Sequence, residues 1–109
     1  MKSNIIILAI CFIMGCSGDT KTAELKLKSM QCMMCSINVE EAVAVLDGVK
    51  KIEVDLKNKS GKVTYKASIL DISSIEEAIT SIGYNVNDKN ADPQAYAKLE
   101  ICCKFPEDK

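Results

Sequence analysis

Apolar residues recur along this chain in two rhythms. Ala23 to Met30 alternates, with Leu25 and Leu27 on one face and Glu24, Lys26 and Lys28 on the other, the period of a half-buried strand. From Ser36 the period lengthens: Val39, Ala42, Val43 and Leu46 share one helical face, and Glu40 and Glu41 turn outward. Gly48, just past Leu46-Asp47, reads as the stop of that helix. Val49 to Leu56 alternates again, with Ile52, Val54 and Leu56 opposed to Lys51, Glu53 and Asp55. Asn58-Lys59-Ser60-Gly61 supplies a turn, and Lys62 to Lys66 continues through Val63 and Tyr65, which predicts a β-hairpin. Ser73-Ser74-Ile75-Glu76 has the form of a capping box, opening a second helix with Ile75, Ala78, Ile79 and Ile82 facing inward. Gly83 ends it, and Tyr84 to Val86 leaves room for a short last strand.

The order β-α-β-β-α-β is the split pattern of the ferredoxin-like fold. It predicts an α+β sandwich, with a four-stranded antiparallel sheet and two helices on one face, each element burying one side. The domain so defined runs over 23–87. Beyond it, Asp92-Pro93 reads as an N-cap followed by proline at the first helical position. Gln94 to Leu99 would form one or two turns leading to Cys102-Cys103. The last residues, from Lys104 to Lys109, are charged, contain Pro106 and are expected to fray.

The N-terminal segment belongs to another category. Lys2 is followed by an apolar run from Ile5 to Met14, about ten residues, the size of a signal-peptide core and about half of what a spanning helix needs. Ile13-Met14-Gly15-Cys16, followed by polar Ser17-Gly18-Asp19-Thr20, resembles a bacterial lipobox. That resemblance implies a signal peptide over 1–15, cleavage before Cys16, lipid attached to the Cys16 thiol, and a tether over 16–22. The protein would then be a membrane-anchored lipoprotein of the cell envelope, on the periplasmic or the outer-membrane side.

Composition narrows the chemistry. Fourteen lysines, with no arginine, nearly balance 15 acidic residues, so there is no basic footprint for nucleic acid. The chain has no histidine, which removes the commonest general base and every imidazole-containing metal site. Six cysteines are present. With Cys11 in the signal and Cys16 capped by lipid, Cys32, Cys35, Cys102 and Cys103 remain. A bond within either close pair would cross-link almost no chain and remove little unfolded-state entropy, so metal or redox chemistry explains these pairs better than stapling.

Met30-Gln31-Cys32-Met33-Met34-Cys35 lies between the first strand and the first helix. Thiolates are soft ligands, and a C-x-x-C running into a helix N-terminus brings two sulfurs together where the helix dipole favours the thiolate. Two sulfurs alone do not satisfy tetrahedral zinc, but they suit Cu(I) and Hg(II); Ag(I) has the same preference and Zn(II) fits less well.

Ser29-Met30-Gln31-Cys32-Met33-Met34-Cys35 resembles the glycine-methionine-x-cysteine-x-x-cysteine motif of the heavy-metal-associated domains. These occur as copper chaperones, as modules of metal-transporting ATPases and as the periplasmic mercury-binding protein. The spacing from Ile37 through Val43 to Leu46-Asp47-Gly48-Val49, and the late Ile82-Gly83-Tyr84, fit the same family. The resemblance covers 23–87. It implies that Cys32 and Cys35 are the metal ligands, that Met30 is buried and shapes the loop, and that a metal-transporting ATPase or transporter domain is a partner. Ser29 replaces the usual glycine, so a loop that needs a positive φ there would depart from the family's geometry.

Other readings stay open. A C-x-x-C also serves thioredoxin-like redox chemistry, although the tryptophan and proline of that site are missing here. Met33 and Met34 could be thioether ligands, but exposed or packing methionines are commoner. Tyr84 is more often a half-buried packing residue than a group beside a metal. Cys102 and Cys103 are either an isolated pair, or a tail that folds back and adds one or two sulfurs, giving a closed site suited to storage and open to zinc. The leading function is non-enzymatic binding and delivery of a soft metal ion. The alternative is a membrane-anchored thiol-disulfide redox protein using the same cysteines, and a third is a metal scavenger without a docking partner.

Overall fold

The structure, a computed structural model, describes residues 19–100 together with Cys103 and Lys104. The signal-like segment, Cys16 with the lipobox, and Cys102 lie outside the described residues.

The strand β1 covers Thr20–Lys26, the helix α1 Met33–Ala44, β2 Val49–Asp55, β3 Ser60–Lys66 and α2 Ile72–Thr80, with a five-residue helix α3 over Pro93–Ala97. The first strand thus begins at Thr20, inside the stretch expected to be tether, because its backbone pairs with β3 from Thr20 opposite Lys66 to Lys26 opposite Ser60. The sheet is antiparallel in the order β1-β3-β2. Lys62, central in the sheet, sits opposite Glu24 on one side and Glu53 on the other, an opposite-charge arrangement that favours this register on the outer face. On the inner face Leu25, Leu27 and Val63 are fully buried with Val39 and Val43 of α1 and Ile75 and Ile79 of α2. α1 packs on β2 and against α2, giving the ferredoxin-like arrangement of two helices on a sheet.

The expected fourth strand does not form: the sheet has three strands among the described residues. The chain does return beside β1, where Asn87 donates its amide to the Lys26 carbonyl at 2.8 Å. A ladder cannot extend from there, because Val86 spends its own amide and carbonyl on Lys89, at 3.1 and 2.9 Å, in a tight turn. Asn87 takes a left-handed conformation, φ 54°, in that turn. Side chains replace the missing rungs. The Lys26 amide donates to Asn87 Oδ1 at 2.9 Å and the Asn85 amide to Ser29 Oγ at 2.9 Å.

Helix ends also differ from the pattern. α1 stops at Ala44 with Val45 as its cap, and Gly48, φ 97°, instead turns the chain into β2. α2 is capped by Asp71, whose carboxylate accepts from the Ser74 amide at 2.9 Å, not by Ser73. Glu76 therefore does not close a capping box. It is buried, accepts from Asn87 Nδ2 at 2.7 Å and pairs with Lys89 Nζ at 3.6 Å, fixing the last turn against α2. Asp92 caps α3 with Pro93 following it, as its sequence predicts, and accepts from the Ala95 amide at 3.0 Å.

Candidate metal centre

The two cysteines of the C-x-x-C are placed by the start of α1. Cys32 is the N-cap, extended at φ −151° and ψ 173°, and its carbonyl accepts the Cys35 amide at 3.0 Å. Cys35 lies in the first helical turn and is fully buried, so it is part of the core and not a loop residue. The three-residue offset on a forming helix brings the two sulfurs to 3.4 Å. Both sit at the positive end of the helix, where backbone N–H groups without intrahelical partners favour a negatively charged sulfur.

The loop before them is held from below. Met30 is completely buried and Ser29 nearly so. Ser29 is not among the described residues with positive φ, so the loop forms without the backbone freedom of glycine. Its hydroxyl instead ties the loop to the last segment through Asn85. Met33 and Met34 point outward, 69% and 47% exposed.

The C-terminal tail comes back over this end of the domain. The Asp92 amide donates to the Thr80 carbonyl at 2.9 Å and the Ala91 amide to Asn85 Oδ1 at 2.7 Å, which fixes the start of α3 beside the end of α2. Cys103 then arrives at the site, 1% exposed, and forms a disulfide with Cys35, their Cα atoms 5.8 Å apart. The Cys103 sulfur is 3.7 Å from that of Cys32, and all three sulfurs lie within 4.8 Å of one another.

Tyr84, fully buried, faces the same cluster. Its hydroxyl donates to Cys103 Sγ at 3.3 Å and accepts from Asn38 Nδ2 at 2.9 Å, linking the tail sulfur to α1. Its full burial differs from the half-buried packing role weighed for it, while its place beside the metal loop is the one the family resemblance implies. Asn38 had no signal in the sequence beyond lying one turn past Cys35. The disulfide, too, runs against the expectation, since it joins the two cysteine pairs to each other across 68 residues. The meeting of the tail with the C-x-x-C matches the reading in which the tail folds back, but the covalent bond between them was not expected.

The donor set is chemically uniform. Among the described residues sulfur is the only ligand type in the cluster, and the chain has no imidazole to add. Such a set fits a soft, thiophilic ion and not Mg(II) or Ca(II).

The sequence pattern of the heavy-metal-associated domain matches residues 24–85. The chain belongs to that family. It is 38% identical over 64 residues to the mercuric transport protein periplasmic component of Shewanella putrefaciens, covering 59% of this chain and 70% of that protein. It is 36% identical over 61 residues to the copper chaperone CopZ of Enterococcus hirae, covering 56% of this chain and 88% of the chaperone. Among solved structures, oxidized MerP from Ralstonia metallidurans superimposes with a TM-score of 0.61 at 26% identity, over 62% of this chain and 94% of that one. The family match ends at residue 85, before α3 and Cys103. No helix among the described residues is long and apolar enough to cross a membrane.

Proposed function

We propose that this chain binds a soft heavy-metal ion, Cu(I) or Hg(II), through Cys32 and Cys35, and delivers or sequesters it in the cell envelope without catalysing a reaction. The observation that carries the reading is the pair of sulfurs 3.4 Å apart at the start of α1, in a domain of the heavy-metal-associated family. The reduced pair offers two thiolates at a helix N-terminus, a geometry that suits linear or trigonal ions and is poor for zinc, which prefers four ligands. Cys32 is the more accessible of the two and is the natural point of entry for an incoming thiol. Exchange of the ion between this pair and a similar pair on a metal-transporting ATPase or transporter domain would move it without release. Relatives named for copper and for mercuric ion support both metals, and the periplasmic relative supports the envelope.

The test is competition for Cu(I) against a chelator of known affinity, using fully reduced protein. The Cys32→Ser/Cys35→Ser variant should lose most of its affinity, and binding equal to the parent would refute the assignment. Anchoring through Cys16 is part of the same proposal. Cys16→Ala should prevent lipid attachment, read as a changed mature mass and loss of partitioning into detergent.

A thiol-disulfide redox role is the second reading, favoured by the Cys35–Cys103 disulfide with the Cys32 sulfur beside it. Turnover of a disulfide substrate by metal-free protein would support it, and a defined metal stoichiometry without turnover would count against it.

A further inference from the structure

The tail cysteine is built into the site more firmly than a chance neighbour would be. Cys103 is buried, its sulfur lies within reach of both C-x-x-C sulfurs, and it accepts a hydrogen bond from a buried tyrosine that is itself held by α1. The segment that delivers it is anchored by the Asp92–Thr80 and Ala91–Asn85 hydrogen bonds. We infer that Cys32, Cys35 and Cys103 together form a three-sulfur site for one thiophilic ion, with the Cys35–Cys103 disulfide as its closed, metal-refusing form. This rests on the assignment of Cys32 and Cys35 as ligands and adds the third sulfur and the redox condition for loading.

The chemistry balances as follows. A dithiol or other two-electron thiol reductant cleaves the Cys35–Cys103 bond, taking up its own oxidation as a disulfide while each sulfur of the protein becomes a thiol. The ion then forms bonds to three sulfurs, and whatever protons these carry leave to solvent. The Cys32 sulfur lies 3.4 and 3.7 Å from the other two, and once the Cys35–Cys103 bond is cut these two must separate for all three to face one ion. Tyr84 positions the third sulfur through its hydroxyl, and its phenolic oxygen is a poor donor for a soft ion beside three sulfurs. Among the described residues Cys35 and Cys103 are buried and Cys32 is the more accessible sulfur, so the ion would be reached from the Cys32 side. That arrangement favours holding the ion over rapid hand-over.

The experiment is X-ray absorption and chelator competition with Cu(I) and, separately, Hg(II), on anaerobically reduced full chain. The parent and Cys102→Ser should show three sulfur neighbours, and Cys103→Ser two. Loss of an outer-shell partner alone costs about 10–100-fold in affinity, so removal of a ligand sulfur should cost Cys103→Ser at least about tenfold. Metal uptake by the untreated, oxidised parent should be restored by the reductant. Two sulfurs in both parent and Cys103→Ser, with Cys32→Ser/Cys35→Ser unable to bind, would overturn the three-sulfur site and leave the two-cysteine reading standing. Loss of the third sulfur in Cys102→Ser but not in Cys103→Ser would overturn it as well. Parent-like binding by the Cys32→Ser/Cys35→Ser variant would overturn both.

Discussion

Gly83 lies directly against the backbone of Ala95: a β-carbon at position 83 would come within 3.0 Å of the Ala95 carbonyl carbon and oxygen. Gly83 also has φ 105°, a conformation that side chains with a β-carbon rarely adopt. The two facts coincide at the place where the tail docks on the domain, so a single residue controls both the turn after α2 and the approach of α3.

Gly83→Ala should therefore destabilise the domain by about 1–3 kcal/mol through backbone strain, read by urea denaturation. It should also loosen the tail, so that in reduced protein Cys103 is alkylated faster than in the parent. A change within about 0.5 kcal/mol, the range of an ordinary surface substitution, would show that the close approach is not needed.

The Cys35–Cys103 bond closes a loop across 68 residues, and cross-links of that span restrict the unfolded chain most. Reduction should lower stability by about 2–4 kcal/mol, with a fall in melting temperature on the order of 10 °C for a domain of this size. Cys103→Ser should melt near the reduced parent and be insensitive to reductant. Equal melting of oxidised and reduced parent would mean that the bond contributes nothing to the fold.

Acid should weaken the protein from a definable source. The Asp71 carboxyl is held below its ordinary value of 3.8 by the hydrogen bond from the Ser74 amide, then by that from the Ser74 hydroxyl. Because the folded state lowers this value, the contribution is complete above the ordinary carboxylate range and disappears as pH falls through the lowered one. Asp55 behaves in the same direction through the Asn58 side chain and backbone. Asp71→Asn keeps an acceptor for the cap and cannot ionise, so its denaturation midpoint should fall less steeply than the parent's between about pH 5 and pH 2. Parallel curves would place the acid sensitivity elsewhere, with Asp55→Asn as the next variant to measure.

Much of the fold is legible because it is written in short periods. The alternation around Leu25, Val54 and Val63 and the helical spacing of Val39 with Val43 each concern residues a few positions apart, and each places its apolar side in the core. Where the pattern misled, a competing local bond had won. Asp71 caps α2 by accepting from the Ser74 amide in place of Ser73, and Val86 pairs with Lys89 instead of with β1. Both alternatives use groups that the hydrophobic pattern does not weigh.

The chain by itself determined the Cys32–Cys35 pair, because three residues at the start of a helix fix the distance between two side chains whatever the rest of the molecule does. It also determined the soft character of the donors, since sulfur is present and imidazole is not. Only the tertiary structure decided that Cys103 joins them. That contact depends on the left-handed turn at Gly83 and on the hydrogen bonds of Ala91 and Asp92, which commit the tail to one path across the domain. It depends too on Tyr84 being buried with its hydroxyl between Asn38 and the tail sulfur. The chain entropy lost on closing so long a loop changes only slowly with where the tail lands, so the outcome is set by which surface repays it, and no local spacing encodes that surface.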